Sequence, residues 1–216
     1  MPLLFAPNQP IPPIVLASAS PRRQELLASL LAYDDAPFTV QVAEFDESPL
    51  MAKGLEPANL VCQLAKGKAQ AVLATFPSEP LTLDPDEVVE PVPLIIGADT
   101  VVVVDDQIMG KPQDATEAVA MLNTLQGRSH QVLTGLALLY QGRGKVDVGI
   151  TTVWMDPMPP EAIEAYVATG EPLDKAGAYA IQGGAAMWIP RIQGCYFNVV
   201  GLPVSQLARM IKQATQ

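Results

Sequence analysis

Short apolar runs alternate along this chain with stretches whose apolar residues recur every three or four positions, which predicts strands and helices mixed throughout. Ile14 to Ala17 reads as a short buried strand running into Ser20-Pro21 and a helix, RRQELLASLL. Phe38 to Ala43 reads as a second strand. Residues 57–75 place Leu60, Val61, Leu64, Ala65, Ala69 and Val72 on one helix face. Leu94 to Val104 is the most strongly apolar strand and ends at a turn near Asp105-Asp106. A helix follows at about 114–125, with Gly127 as the residue just past its end. His130 to Tyr140 and Lys145 to Met155 read as long strands joined by Gln-Gly-Arg-Gly, a hairpin signal. A helix at 160–169 stops before Gly170. Short strands are expected at 178–181, 186–190 and 195–200, and a last helix from Pro203.

Hairpins interspersed with helices point to an α/β protein with a mixed sheet rather than a uniform βαβ repeat. The 216 residues suffice for one buried domain, or one domain with two lobes around a cleft. No internal repeat or domain boundary is visible. Residues 1–12 are expected to form a flexible leader and 13–216 a single domain. Residues 77–93 hold five prolines, five acids and no base, and read as a solvated insertion loop. No apolar run reaches 18 residues, which argues against a membrane-spanning helix. The start, MPLLFAPNQPIPP, lacks the basic region of a signal peptide. Cys62 and Cys195 then read as reduced thiols of a cytoplasmic protein.

Charge narrows the choice of partner. A formal net charge of −10 makes long nucleic acid a poor candidate. Of 13 Lys and Arg residues, seven (Arg22, Arg23, Lys66, Lys68, Lys111, Lys175 and Arg191) fall in the motif-like segments, which hints at a cationic pocket in an acidic protein. With two cysteines and one histidine a zinc site is not expected. A metal would be a hard cation such as Mg²⁺ or Mn²⁺, held by carboxylates.

Three groups of residues could carry chemistry. In SASPRR, Ser20 sits where a helix N-cap belongs and Pro21 at the first helical position. The free N–H groups and the helix dipole favour an anion there, and Arg22 and Arg23 add two guanidiniums. A capped, basic surface helix would read the same way. Asp99 lies inside an almost wholly apolar strand, where an ionised carboxylate costs several kcal/mol unless paired or metal-bound; capping of nearby N–H groups is the alternative. Asp105 and Asp106 only make the turn. Asp46-Glu47, Lys68 and the Lys111 of GKP are individually compatible with solvated positions. The glycines of GKP and IQGG permit close approach to a ligand or ordinary turns. No Walker A loop is present, and the lone His130 fits a buried, satisfied histidine better than a triad. Together these pieces suit metal-assisted attack of water on a phosphoanhydride.

LASASPRRQELL at 16–27, DES at 46–48, LAKGKA at 64–69, GADTVV at 97–102, GKP at 110–112, SHQVLTG at 129–135, DKAGAYAIQG at 174–183 and FNVVGLP at 197–203 stand in one order. With these eight segments the chain resembles the Maf family of nucleotide pyrophosphatases, once described as septum-formation inhibitors. The resemblance implies a twisted mixed sheet flanked by helices, with a deep cleft between two lobes as in inosine triphosphate pyrophosphatases, and often a homodimer. It implies Asp99 as proton acceptor, Ser20, Arg22, Arg23, Lys68 and Lys111 around the phosphates, and Glu47 with Asp99 near a divalent cation (Mg²⁺, Mn²⁺ or Co²⁺). Arg22, Thr100 and Gln182 fall on the family's specificity positions and match the branch that takes dTTP and UTP. The implied reaction releases a nucleoside monophosphate and pyrophosphate. Two other readings stand beside it: a non-catalytic nucleotide-binding regulator of cell division, and a pyrophosphatase for a modified nucleotide such as 7-methyl-GTP.

Overall fold

The computed structural model describes residues 4–6, 10–76 and 92–216. Seven strands form one mixed sheet: β1 (Ile14–Ala17), β2 (Phe38–Val40), β3 (Leu94–Val104), β4 (Gln107–Met109), β5 (Ser129–Tyr140), β6 (Arg143–Trp154) and β7 (Arg191–Gln193). The order is β2-β1-β3-β5-β6-β7, with β4 paired to the far end of β3. β1 runs parallel to β2 and β3, and the remaining pairs are antiparallel. The helices are α1 (Pro21–Leu31), α2 (Ser48–Met51), α3 (Pro57–Leu73), α4 (Ala115–Leu125), α5 (Pro160–Ala168), α6 (Tyr196–Val200) and α7 (Val204–Thr215). None is long and apolar enough to cross a membrane among the described residues.

Strand alternation sorts the core. Leu94, Ile96 and Ala98 of β3 pack with α1 and α7, while Val102 and Val104 pack with α4 and α5. Ile95, Val101 and Val103 point the other way and pack in the clusters that hold residues of α3. Two-residue turns of positive φ close both hairpins: Asp105-Asp106 between β3 and β4, and Gln141-Gly142 between β5 and β6. The Asp114 carboxylate caps α4 through the Glu117 N–H at 2.8 Å.

One close approach matters for the site. A methyl group on Gly97 would lie 2.2 Å from the carbonyl oxygen of Ala65, and one on Gly135 would lie 2.2 Å from that of Val61. Helix α3 therefore rests directly on the backbone of β3 and β5.

The sheet also has a gap. β1 ends at Ala17, paired with Gly97, and β4 begins its pairing at Val102. Between them, this edge of β3 from Ala98 to Val101 has no neighbouring strand among the described residues, and its Asp99, Thr100 and Val101 line a cleft whose wall also includes residues of α1, α3 and α6.

Several expectations are corrected. The second strand stops at Val40. No strand forms at 178–181, 186–190 or 195–200. Ala176–Ala178 and Gly184–Trp188 are short 3₁₀ turns, and 196–200 is helix α6. The first two segments are rich in Gly and Ala, and Gly177 and Ala178 have positive φ, which a strand does not accommodate. In the third, Asn198 turns inward to bond the Val132 carbonyl and Thr151 Oγ1, and the helical turn exposes Tyr196 and Phe197. Within the expected leader, Leu4 and Phe5 are buried, and their N–H groups donate to the Asp34 carboxylate at 2.9 and 3.2 Å, so those two residues are anchored. Residues 1–3 and 7–9 of the leader, and 77–91 of the acidic insertion, lie outside the described residues.

Candidate active site

The cleft encloses about 790 Å³, and all nine residues singled out from the sequence line it: Ser20, Arg22, Arg23, Glu47, Lys68, Asp99, Thr100, Lys111 and Gln182. Of the seven cations expected to gather, five do so, namely Arg22, Arg23, Lys68, Lys111 and Lys175. Facing them along the wall are three carboxylates, Glu47, Asp99 and Asp174. The cleft is thus locally cationic in a chain of net charge −10. Lys66 lies instead in a groove beside β5 and β6, and Arg191 stacks on Trp154 at 4.3 Å.

Asp99 and Thr100 occupy the open edge of β3 and, being neighbours in a strand, face opposite sides of the sheet. Asp99 points toward α3, where the Lys68 ammonium bonds its Oδ1. The same ammonium reaches Glu47, at the start of α2, at 2.9 Å. One cation therefore sits between two carboxylates, and Asp99 keeps only 14% of its side chain exposed. Its Oδ2 makes no hydrogen bond among the described residues. A partly buried carboxylate in an apolar strand is compensated here by a direct ion pair.

Thr100 points toward α1. Its Oγ1 accepts from Arg23 Nη2 at 2.9 Å and lies 2.9 Å from Thr134 Oγ1, which donates to the Asn198 carbonyl. That last bond fixes the direction of the chain, so the Thr100 hydroxyl donates to Thr134. Arg23 also donates from Nε to the Gly201 carbonyl, and from Nη1 to the Ala98 carbonyl and Ser18 Oγ. Four of its N–H bonds are thus committed, leaving one. Burial pushes the Arg23 guanidinium below its ordinary value, against the pull of the Asp99 charge, and Arg22 adds to the downward push. Arg23 and Thr100 build the floor of the cleft more than they present free groups to a ligand.

At the start of α1, Ser20 stands at the N-cap position, but its side chain makes no capping bond and the first turn holds no acid. The N–H groups of this turn are available to an anion. Arg22 lies 3.8 Å from Asp174, which also pairs with Lys175. Partial burial pushes the Asp174 carboxyl up, but the bond to Lys175 and the charges of Lys175, Arg22 and Lys111 together hold it below its ordinary value. Lys111 follows β4, where Gly177 N–H donates to the Gly110 carbonyl at 3.0 Å and ties this segment to the turn at 176–178. The side chains of Lys111 and Gln182 make no hydrogen bond among the described residues, and the Lys111 charge acts on the Asp174 carboxylate.

His130 is buried, with Nε2 2.7 Å from the Tyr179 hydroxyl; Nδ1 has no partner among the described residues, so the histidine is only half satisfied. Burial pushes it down to about 4, with a smaller contribution from Arg128. Cys62 and Cys195 are both free and half-buried.

The sequence assigns no site role to Thr134, Asn198 or Asp174, and marks Lys175 only as one of the clustered cations. The signal that marked Asp99, a polar residue inside an apolar strand, was also present at Thr134, which is fully buried. Asn198 and the 174–175 pair carry no such local mark.

The chain matches the family model described as Maf-like protein over residues 13–214. It belongs to the Maf family. It is 46% identical over 200 residues to a protein of Symbiobacterium thermophilum, covering 93% of this chain and 93% of that protein. It is 45% identical over 202 residues to one of Desulforamulus reducens, covering 93% and 95%. A Methanosarcina barkeri protein is 41% identical over 203 residues, covering 93% of each. All three Maf relatives bear the name dTTP/UTP pyrophosphatase.

Proposed function

We propose that this chain is a nucleoside triphosphate pyrophosphatase that hydrolyses dTTP and UTP to the monophosphate and pyrophosphate. The supporting observation is the arrangement at the open edge of β3. Asp99, held by Lys68 beside Glu47, shares one cleft with the uncapped start of α1 and the cations Arg22, Lys111 and Lys175. The name borne by the relatives points to the same substrates.

The triphosphate is bound by the free N–H groups of α1, by Ser20 and by the neighbouring cations. Asp99 accepts the proton of a water that attacks the α-phosphorus; the bond to the β-phosphate oxygen breaks and pyrophosphate departs. Lys68, Lys111 and Arg22 meet the charge that grows on the leaving group. Glu47 and Asp99 form a hard donor pair. No group of three or more metal-ligating side chains occurs among the described residues, and a pair suits a cation that completes its shell with substrate oxygens. Bound there, Mg²⁺, Mn²⁺ or Co²⁺ would neutralise phosphate charge.

Gln182 offers an amide donor and acceptor, which match the alternating carbonyl and N3–H edge of uracil and thymine. Cytosine reverses that pattern at N3 and C4, leaving buried polar groups unpaired.

The test is turnover in ¹⁸O-water with a panel of triphosphates, with and without chelator. Label in the monophosphate alone, with dTTP and UTP preferred and activity lost on chelation, is expected. Label in orthophosphate would identify a γ-phosphatase. Binding without turnover would leave a nucleotide sensor, and a preference for 7-methyl-GTP would overturn the substrate choice.

A further inference from the structure

Gln182 sits in a segment with little regular structure to hold it. Ala180 to Gly183 form a tight turn, closed by the Gly183 N–H donating to the Ala180 carbonyl at 3.1 Å, with Ile181 and Gln182 at its centre. Both central residues line the cleft.

Two residues outside the cleft wall reach both ends of this turn. The Tyr166 hydroxyl, from α5, accepts the Ala180 N–H at 3.1 Å, where the turn is entered. The same hydroxyl donates to Glu171 Oε1 at 2.6 Å. The Glu171 carboxylate in turn accepts the Gly184 N–H, 3.2 Å from each oxygen, just past the exit. The fit leaves no space, since a methyl group on Gly183 would lie 2.0 Å from Glu171 Oε1. Burial first, and then the bond to Glu171, push the Tyr166 phenol above its ordinary range, so it stays a donor. The carbonyl of Glu171 accepts from Lys175, which pairs with Asp174.

We propose that Tyr166 and Glu171 are positioning residues for base selectivity, acting as one clasp on both ends of the turn that presents Gln182. Neither is among the residues lining the cleft. They act through Gln182: a clasped turn holds the amide in one place against the base, so its donor and acceptor can tell uracil from cytosine. A released turn lets the amide move and accept either pattern. The inference rests on the uracil and thymine reading given above.

The experiment is steady-state kinetics with UTP and CTP on Tyr166→Phe, Gln182→Ala and the double variant, each checked for fold by circular dichroism. Tyr166→Phe removes both bonds of the hydroxyl. The UTP-to-CTP ratio of kcat/KM is expected to fall about five- to tenfold, the size of one net hydrogen bond, through KM more than through kcat. In the Gln182→Ala background, Tyr166→Phe should change the ratio no further, because two residues acting as one unit are non-additive. Should Tyr166→Phe fail to fold, Glu171→Gln serves instead. It keeps an acceptor oxygen, and its ratio should lie between those of the wild type and Glu171→Ala.

A ratio that survives Tyr166→Phe while Gln182→Ala collapses it overturns the clasp alone. So does an equal further loss in the Gln182→Ala background. A wild-type chain with no preference between the two bases overturns the substrate reading, and the clasp with it.

Discussion

The two ends of the cleft are built differently. At the end proposed to hold the phosphates, four of the functional groups stand on regular structure: Asp99 on β3, Lys68 on α3, Arg22 and Arg23 on α1. Helix α3 lies directly against strand backbone at Gly97 and Gly135, with no side-chain layer between them to rearrange. At the end proposed to hold the base, Gln182 lies between two 3₁₀ turns, and the turn that carries it is tied through Ala180 N–H to Tyr166 and through Gly184 N–H to Glu171. The contrast teaches that chemistry and recognition here depend on different kinds of support, so substitutions should separate them.

The largest expected separation comes from Asp99→Asn. Loss of the carboxylate proposed as proton acceptor should lower kcat by roughly two to four orders of magnitude, while the choice between UTP and CTP stays nearly as it was. The amide relieves a partly buried charge, although it weakens the bond to Lys68, so the melting temperature should change little. Near-normal turnover would remove Asp99 from the chemistry, and an unfolded variant would make it structural.

Acid should also act through His130, which stands behind the end proposed to hold the base. His130 supports Tyr179, just ahead of the turn that carries Gln182, and Arg128 is the charged neighbour that opposes its protonation. Its ordinary value of 6.5 is lowered to about 4 in the fold. Between those two pH values the unfolded chain binds the extra proton. The contribution is therefore complete above about pH 6.5 and declines by up to about 3 kcal/mol as the pH falls to 4. Urea midpoints measured from pH 7 to pH 4.5 should drop more steeply for the wild type than for His130→Gln. Parallel curves would show that His130 is not the source.

Gly135→Ala probes the other support. Its new methyl group would meet the Val61 carbonyl and lift α3 from the sheet, at a cost of about 1–3 kcal/mol. Because α3 carries Lys68, turnover should suffer more than selectivity, as read by thermal melting and by kcat for UTP. An unchanged melting temperature would mean that the helix yields freely.

Gln182→Ala is the mildest. It should reduce the UTP-to-CTP ratio about five- to tenfold, in line with one lost hydrogen bond, and lower kcat by less. A larger fall in kcat than in the ratio would place Gln182 at the chemistry rather than at the base.

The same division governs what could be read from the sequence. Strand β3, helix α3 and the β5/β6 hairpin follow from apolar spacing and turn residues, and the positions they give Asp99 and Lys68 follow from strand and helix periodicity. Apolar spacing does not give the segments 178–181, 186–190 and 195–200, because the conformation there is set by partners elsewhere in the chain. Tyr166 holds Ala180, Glu171 holds Gly184, and Val132 and Thr151 hold Asn198, and no local pattern encodes such pairings. Arg23 shows the limit from the other side. The SASPRR segment points to its place in the cleft, but its bonds to Ala98, Thr100 and Gly201 depend on the assembled sheet.

That arginine has a consequence for synthesis. Its Nε bonds the carbonyl of a residue 178 positions later. A chain leaving the ribosome presents Arg22, Arg23, Lys68 and Asp99 long before Gly201 exists, and until then the guanidinium lacks one of its four acceptors. The order of translation thus brings the segment around Gly201 to the cleft floor after the rest, and a nascent chain halted before that point would carry Asp99 and Lys68 without the completed floor beneath them.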